Sequence, residues 1–321
     1  GRAWEALLEA APEGYYALRA RELAQVAGLE LSSPPDALDG GAGGQAAAEE
    51  WLRSWLPGAD GTDLRALPAA VVRDRAYRRG VALLALGLRR EALRELEGVK
   101  DRWLDDPQAM YALALHFREL GVYRLSIVCA ARLLDLSPLS LRAAAPRFLL
   151  GLAYPTYFAD LVQEEAETHG LDPLLLYAVI RQESLFEPAA RSYAAAGGLM
   201  QVIPATGEWV AQRLHWPDYR GTHVYRPHIN IKFGVYYLAY AMEQAGNNVM
   251  TALVGYNAGP GNARHWRAAA GEDDDLFLET VTNPQPRRYV RNVLQQLGVY
   301  RQLYGKGQIP QSSRSPSVGR F

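Results

Sequence analysis

The stretch Asp172-Pro173-Leu174-Leu175-Leu176-Tyr177-Ala178-Val179-Ile180-Arg181-Gln182-Glu183-Ser184 decides how this chain reads. Asp172 is a good helix N-cap, and Pro173 suits the first helical position. The apolar run that follows predicts a short helix ending in a carboxylate, with Val179 and Ile180 on the face of Glu183, at i−4 and i−3. A carboxyl flanked by apolar side chains is poorly solvated when ionised, and the negative end of the helix dipole disfavours its charge further. Both effects raise the pKa, which makes a proton donor that works near neutral pH. Most glutamates in a last helical turn are simply solvated. The downstream sequence shifts that balance.

Phe186-Glu187-Pro188 stops the helix, and Ser192-Tyr193-Ala194-Ala195-Ala196-Gly197-Gly198-Leu199-Met200-Gln201 follows. The paired glycines permit positive φ or close backbone approach. Farther on, Gly255-Tyr256-Asn257-Ala258-Gly259-Pro260-Gly261 places an aromatic hydroxyl and an amide where an apolar helix breaks. Glu183-Ser184, Gly198-Leu199-Met200-Gln201 and Tyr256-Asn257-Ala258-Gly259, in this order, resemble the signature motifs of the soluble lytic transglycosylase family. The similarity runs from about Tyr154 to Tyr304 and includes Leu171-Asp172-Pro173, Ile203-Pro204-Ala205-Thr206, Asn230-Ile231 before Gly234, and Arg287, Tyr289 and Val290. Tyr193 stands where the family has a proline and Gly197 where it has an arginine. Gln285-Pro286-Arg287 replaces a Glu-Thr-Arg pattern, and with it a second family glutamate.

The resemblance implies an all-α protein: a helical, tetratricopeptide-like or superhelical N-terminal region, then a lysozyme-like catalytic domain. It implies cleavage of peptidoglycan glycan strands without water, giving 1,6-anhydromuramoyl products. Glu183 would first donate a proton to the leaving oxygen and then accept one from the C6 hydroxyl. Ser184, Gly198, Leu199, Met200, Gln201, Tyr256, Asn257 and Tyr289 are the expected substrate-binding residues. Met200 is expected to give an apolar floor, and the backbone after Gly198 to line the sugar groove. The alternatives are a lysozyme-type hydrolase of the same bond and a non-catalytic wall-binding scaffold.

Glycosidases usually employ two carboxylates. Glu187 lies past the helix end beside Pro188, Glu208 reads as a first-turn residue of the next helix, and Asp218, Glu243 and the run Glu272-Asp273-Asp274-Asp275 read as solvated surface. A lone acid suits a substrate-assisted route. Trp209, Trp216 and Trp266 are read as packing residues. The six histidines lack metal-ligand spacing and no nucleophile elbow is present, so no metal and no cofactor are expected.

At 321 residues the chain is long enough for two domains. A net charge of −1 argues against a nucleic-acid partner, and no stretch reaches the roughly 20 apolar residues of a membrane span. Cys129, the single cysteine, reads as a buried small hydrophobe. The expected division is 1–150, a helical repeat-like and linker domain; 151–305, the catalytic domain; and 306–321, a disordered tail. Residues 1–30 read as helix, and the Pro- and Gly-rich stretch to Gly44 as a loop without the Lys-Ser/Thr of a phosphate cradle. Leu86-Gly87 and Leu120-Gly121, 34 positions apart, punctuate apolar helical runs as in tetratricopeptide arrays. A space-filling scaffold is the favoured role for this region, and binding of cell-wall protein partners is the alternative. The chain opens at Gly1 without a signal-peptide pattern and reads as a trimmed product or a C-terminal piece. A periplasmic or cell-envelope location is expected from the substrate alone.

Overall fold

The computed structural model describes residues 15–17, 19, 20, 44–142 and 144–305. Most of the expected first helix, most of the loop after it and the expected tail lie outside the described residues. Among the described residues the secondary structure is helical, with two isolated β-bridges, Arg191 to Gly197 and Gly197 to Val202. No helix among them is long and apolar enough to cross a membrane. Two compact units result. They do not follow one cut near residue 150. The first unit ends at Tyr157 and takes in Leu185–Ala189, while residues 15–17, 19 and 20 group with the second.

The first unit contains α1 (Gln45–Arg53), α2 (Ala69–Arg73), α3 (Arg75–Ala85), α4 (Arg89–Arg102), α5 (Pro107–Glu119), α6 (Tyr123–Leu136), α7 (Leu139–Arg142) and α8 (Arg147–Ala153). The 34-residue offset corresponds to two helical hairpins, α3–α4 and α5–α6, whose turns are built alike. Gly87 and Gly121 have φ of 74° and 68°. The N–H of Leu88 donates to the Leu83 carbonyl at 2.9 Å, and that of Val122 to Phe117 at 2.8 Å. This closure satisfies carbonyls that a helix end leaves open and selects glycine. Leu96, Val99, Met110, Leu113, Phe117 and Leu133 fill the core. Cys129 is fully buried among them, and burial pushes its thiol pKa up to about 12, as suits an inert apolar filler. Asp74 and Asp106 cap α3 and α5.

Within the same unit, Arg89 forms a forked ion pair with the buried Glu187, Nε to Oε1 at 2.8 Å and Nη2 to Oε2 at 2.9 Å. Its Nη2 also donates to the Gly121 carbonyl at 2.9 Å. Phe186 is buried with its ring edge-on to Tyr157, which stacks on Tyr123 at 3.9 Å.

The second unit comprises α9 (Ala159–His169), α10 (Pro173–Ser184), α11 (Pro204–Arg213), a 3-10 turn (Gly221–Tyr225), α12 (Pro227–Gln244), α13 (Val249–Ala258), α14 (Pro260–Ala270), α15 (Asp274–Thr280) and α16 (Pro284–Tyr304). Asp172 accepts from the Leu174 N–H at 2.8 Å, so α10 starts where its sequence predicts. Helix α10 packs along α16, with Tyr177 stacked on Tyr300 and Gln296 donating to Gln182. The acidic run after Gly271 is more than solvated surface. Asp273 caps α15, Asp274 pairs with Arg267 at 2.8 Å, and Asp275 with Arg19 at 2.9 Å. Short acidic side chains at a helix start find orphan N–H groups, which a count of charges does not reveal.

Candidate active site

Glu183 occupies the last turn of α10, after the fully buried Val179 and Ile180. Part of the residue is open to solvent, yet protein atoms crowd its carboxyl, and burial raises the pKa to about 7. The Tyr289 hydroxyl opposes the rise by favouring the ionised form. That hydroxyl, itself buried, faces the carboxyl without closing a hydrogen bond of normal geometry. Burial, and then the charge of Glu183, drive the Tyr256 and Tyr289 phenols well above their ordinary pKa. Both remain neutral hydrogen-bonding groups. The three side chains form one electrostatic cluster contributed by α10, α13 and α16. No charged side chain among the described residues contributes to the Glu183 shift.

The loop beneath this cluster is tightly made. Gly197 exchanges two backbone hydrogen bonds with Val202, at 3.1 and 3.0 Å. Gly198 has φ of 79°, and a Cβ there would lie 2.2 Å from Asn230 Nδ2 and 2.3 Å from the Val224 carbonyl. Ser184 Oγ donates to the Leu199 carbonyl at 2.8 Å, and Tyr256 Oη to that of Met200 at 2.7 Å. Ser184 therefore ties the loop to α10. Gln201, with φ of 48°, spends its side-chain N–H groups on the carbonyls of Gly198 and Ala190.

These contacts change what the expected site residues can offer. Leu199 and Met200 are fully buried, and Met200 packs on Gly234, where a Cβ would meet its sulfur at 2.5 Å. Both are buried support for the loop, and the carbonyls of residues 197 to 200 are all engaged internally. Gln201 retains its Oε1, and Asn257 is partly exposed at the end of α13. Two residues carry roles that the sequence left unassigned. Asn230 grips the loop from α12, and Tyr237 lies 5.6 Å from the Tyr256 ring. The signal for Asn230 was an amide between Ile229 and Ile231 at the start of an apolar helix.

Other candidates lie elsewhere. Glu187 is paired with Arg89 inside the helical unit, and Glu208 is exposed in the second turn of α11, not its first. Trp209 is covered by Arg213, 4.3 Å above its ring, and Trp216 packs edge-on to Phe233. An open cavity of about 460 Å³ is lined by Glu208, Gln212, His215, Trp216 and Tyr219, none of them part of the Glu183 cluster.

Residues 160–276 match the family described as Transglycosylase SLT domain. The soluble lytic murein transglycosylase of Salmonella typhimurium is 36% identical over 156 residues, 48% of this chain and 24% of that protein. The membrane-bound lytic murein transglycosylase C of Actinobacillus pleuropneumoniae is 36% identical over 136 residues, 41% of this chain and 28% of that protein. The chain thus spans about a quarter of the length of the curated relatives it matches. In fold it resembles the 70 kDa soluble lytic transglycosylase of Escherichia coli, with a TM-score of 0.66 and 24% identity over 92% of this chain and 41% of that one. It also resembles an inactive mutant of lytic transglycosylase Slt from Pseudomonas aeruginosa, with a TM-score of 0.64 and 24% identity over 93% and 42%. The all-α class, with a helical region before a lysozyme-like domain, and the resemblance to the soluble lytic transglycosylases hold on these findings.

Proposed function

We propose that this chain, carrying a transglycosylase SLT domain, is a peptidoglycan lytic transglycosylase with Glu183 as its single acid and base. The observation that carries the reading is a partly buried glutamate with a pKa of about 7, beside the neutral Tyr256 and Tyr289, with no second carboxylate acting on it among the described residues. A protonated Glu183 gives its proton to the glycosidic oxygen between the two amino sugars. The sugar's N-acetyl group stabilises the cationic carbon in place of a second carboxylate. The carboxylate left behind then takes the proton of the C6 hydroxyl, which closes a 1,6-anhydro ring. Proton count and charge balance without water.

Tyr256 and Tyr289 serve as neutral hydrogen-bonding groups beside the carboxyl. Tyr289 favours the ionised form that exists between the two proton transfers. Among the expected site residues, Gln201 Oε1 and the Asn257 amide remain for sugar hydroxyls. A periplasmic or cell-envelope site of action follows from this substrate, as does a glycan strand as the principal partner. Binding of cell-wall proteins through the helical unit is a further part of the proposal.

Mass spectrometry of digested peptidoglycan tests the reading. Anhydro ends are expected, whereas reducing muramic ends would refute it in favour of a lysozyme-type hydrolase. Absence of any cleavage would favour the non-catalytic scaffold.

A further inference from the structure

Asn230 stands in the first turn of α12 and is completely buried. Its Oδ1 accepts from the Met200 N–H at 2.7 Å. Its Nδ2 donates to the carbonyls of Gly197 at 2.8 Å and Val224 at 2.7 Å. One acceptor and two donors, each matched to a backbone group, fix the amide's orientation and call for an amide specifically. Aspartate would turn an oxygen toward two carbonyls. Leucine would leave Met200 N–H and two carbonyls to find other partners. The loop so held carries the two acceptors that brace the Glu183 surroundings: the Leu199 carbonyl takes the Ser184 hydroxyl, and the Met200 carbonyl takes that of Tyr256.

We infer that Asn230 is a positioning residue for catalysis, fixing the 197–201 loop so that Tyr256 and Ser184 keep the Glu183 carboxyl in its poorly hydrated setting. The inference rests on the reading of Glu183 as the acid, and it acts through the loop without touching the sugar. Gly198 is the complement to that grip, since any side chain there would displace the amide.

The test uses the chain with Asn230→Ser and Asn230→Asp, each checked for helix content. With peptidoglycan, both are expected to lose roughly 100-fold in kcat while KM changes by less than about three-fold, as for a misplaced catalytic group. Asn230→Asp should recover part of its loss relative to the parent at acid pH, where a protonated carboxyl regains one donor. A second measurement needs no turnover. The pH dependence of the stability gap between each chain and its Glu183→Gln counterpart reports the Glu183 pKa. In Asn230→Ser that midpoint should fall by about one unit or more, as water reaches the carboxyl. An unchanged midpoint in folded Asn230→Ser overturns the inference, whatever turnover does. A parent chain that leaves peptidoglycan intact refutes the proposed activity instead, and the midpoint then still decides whether Asn230 sets the surroundings of Glu183.

Discussion

At the residue scale, the Glu183 carboxyl links the proposed chemistry to stability. The folded pKa of Glu183, about 7, exceeds its ordinary value of 4.5, so the folded state binds the proton more tightly than the unfolded chain does. Stability is therefore highest below pH 4.5 as far as this group is concerned, and it falls as pH rises through the interval to about 7. A shift of this size corresponds to roughly 3 kcal/mol of burial cost at alkaline pH. Glu183→Gln is expected to abolish cleavage and to unfold at higher denaturant than the parent at pH 8, with the gap closing by pH 4. Urea titrations across pH measure it, and a gap independent of pH would contradict the assignment. Turnover of the parent should decline above about pH 7, where the acid is lost. For Tyr256→Phe, loss of the donor to the Met200 carbonyl should cost about 1–3 kcal/mol. It should lower kcat more than it raises KM in steady-state assays.

At the scale of elements, equal sequence signals carry unequal weight. Gly87 and Gly198 both have positive φ, 74° and 79°. Nothing lies within 4 Å of a Cβ placed at Gly87, whereas at Gly198 it would strike Asn230 and the Val224 carbonyl. Gly87→Ala should therefore cost only the conformational strain of about 1–2 kcal/mol. Gly198→Ala should cost several kcal/mol and break the loop. Thermal unfolding of the two variants side by side checks this, and equal losses would show that the loop is softer than its contacts indicate. The Leu-Gly pairs of the hairpin turns were legible because a helix C-terminus selects glycine locally. The role of Asn230 was not, because its partners lie 6 to 33 positions away.

At the scale of the whole molecule, the partition of the chain departs from linear order. Leu185–Ala189 belongs with the helical unit although it follows the helix of Glu183 directly. Its anchor is the pairing of Arg89 with Glu187, 98 positions apart. Removing one partner leaves the other charge uncompensated. Arg89→Ala should thus destabilise the helical unit by about 3 kcal/mol, the low end for buried pairs because the arginine is partly exposed. The double variant Arg89→Met, Glu187→Leu should recover most of that loss in chemical denaturation. A single variant as stable as the parent would reduce the pair to a surface ornament.

By itself the sequence determined the all-α class, the start and end of α10, the repeat turns and the place of a carboxyl at the end of an apolar helix. Each depends on local periodicity, capping or backbone preference, which neighbouring residues decide. Only the tertiary structure decided that Met200 is core, that the loop's carbonyls are already engaged, that Glu187 is an ion-pair partner and that Asn230 holds the turn. Those outcomes depend on which distant groups meet in space, and burial and hydrogen-bond satisfaction are properties of that meeting.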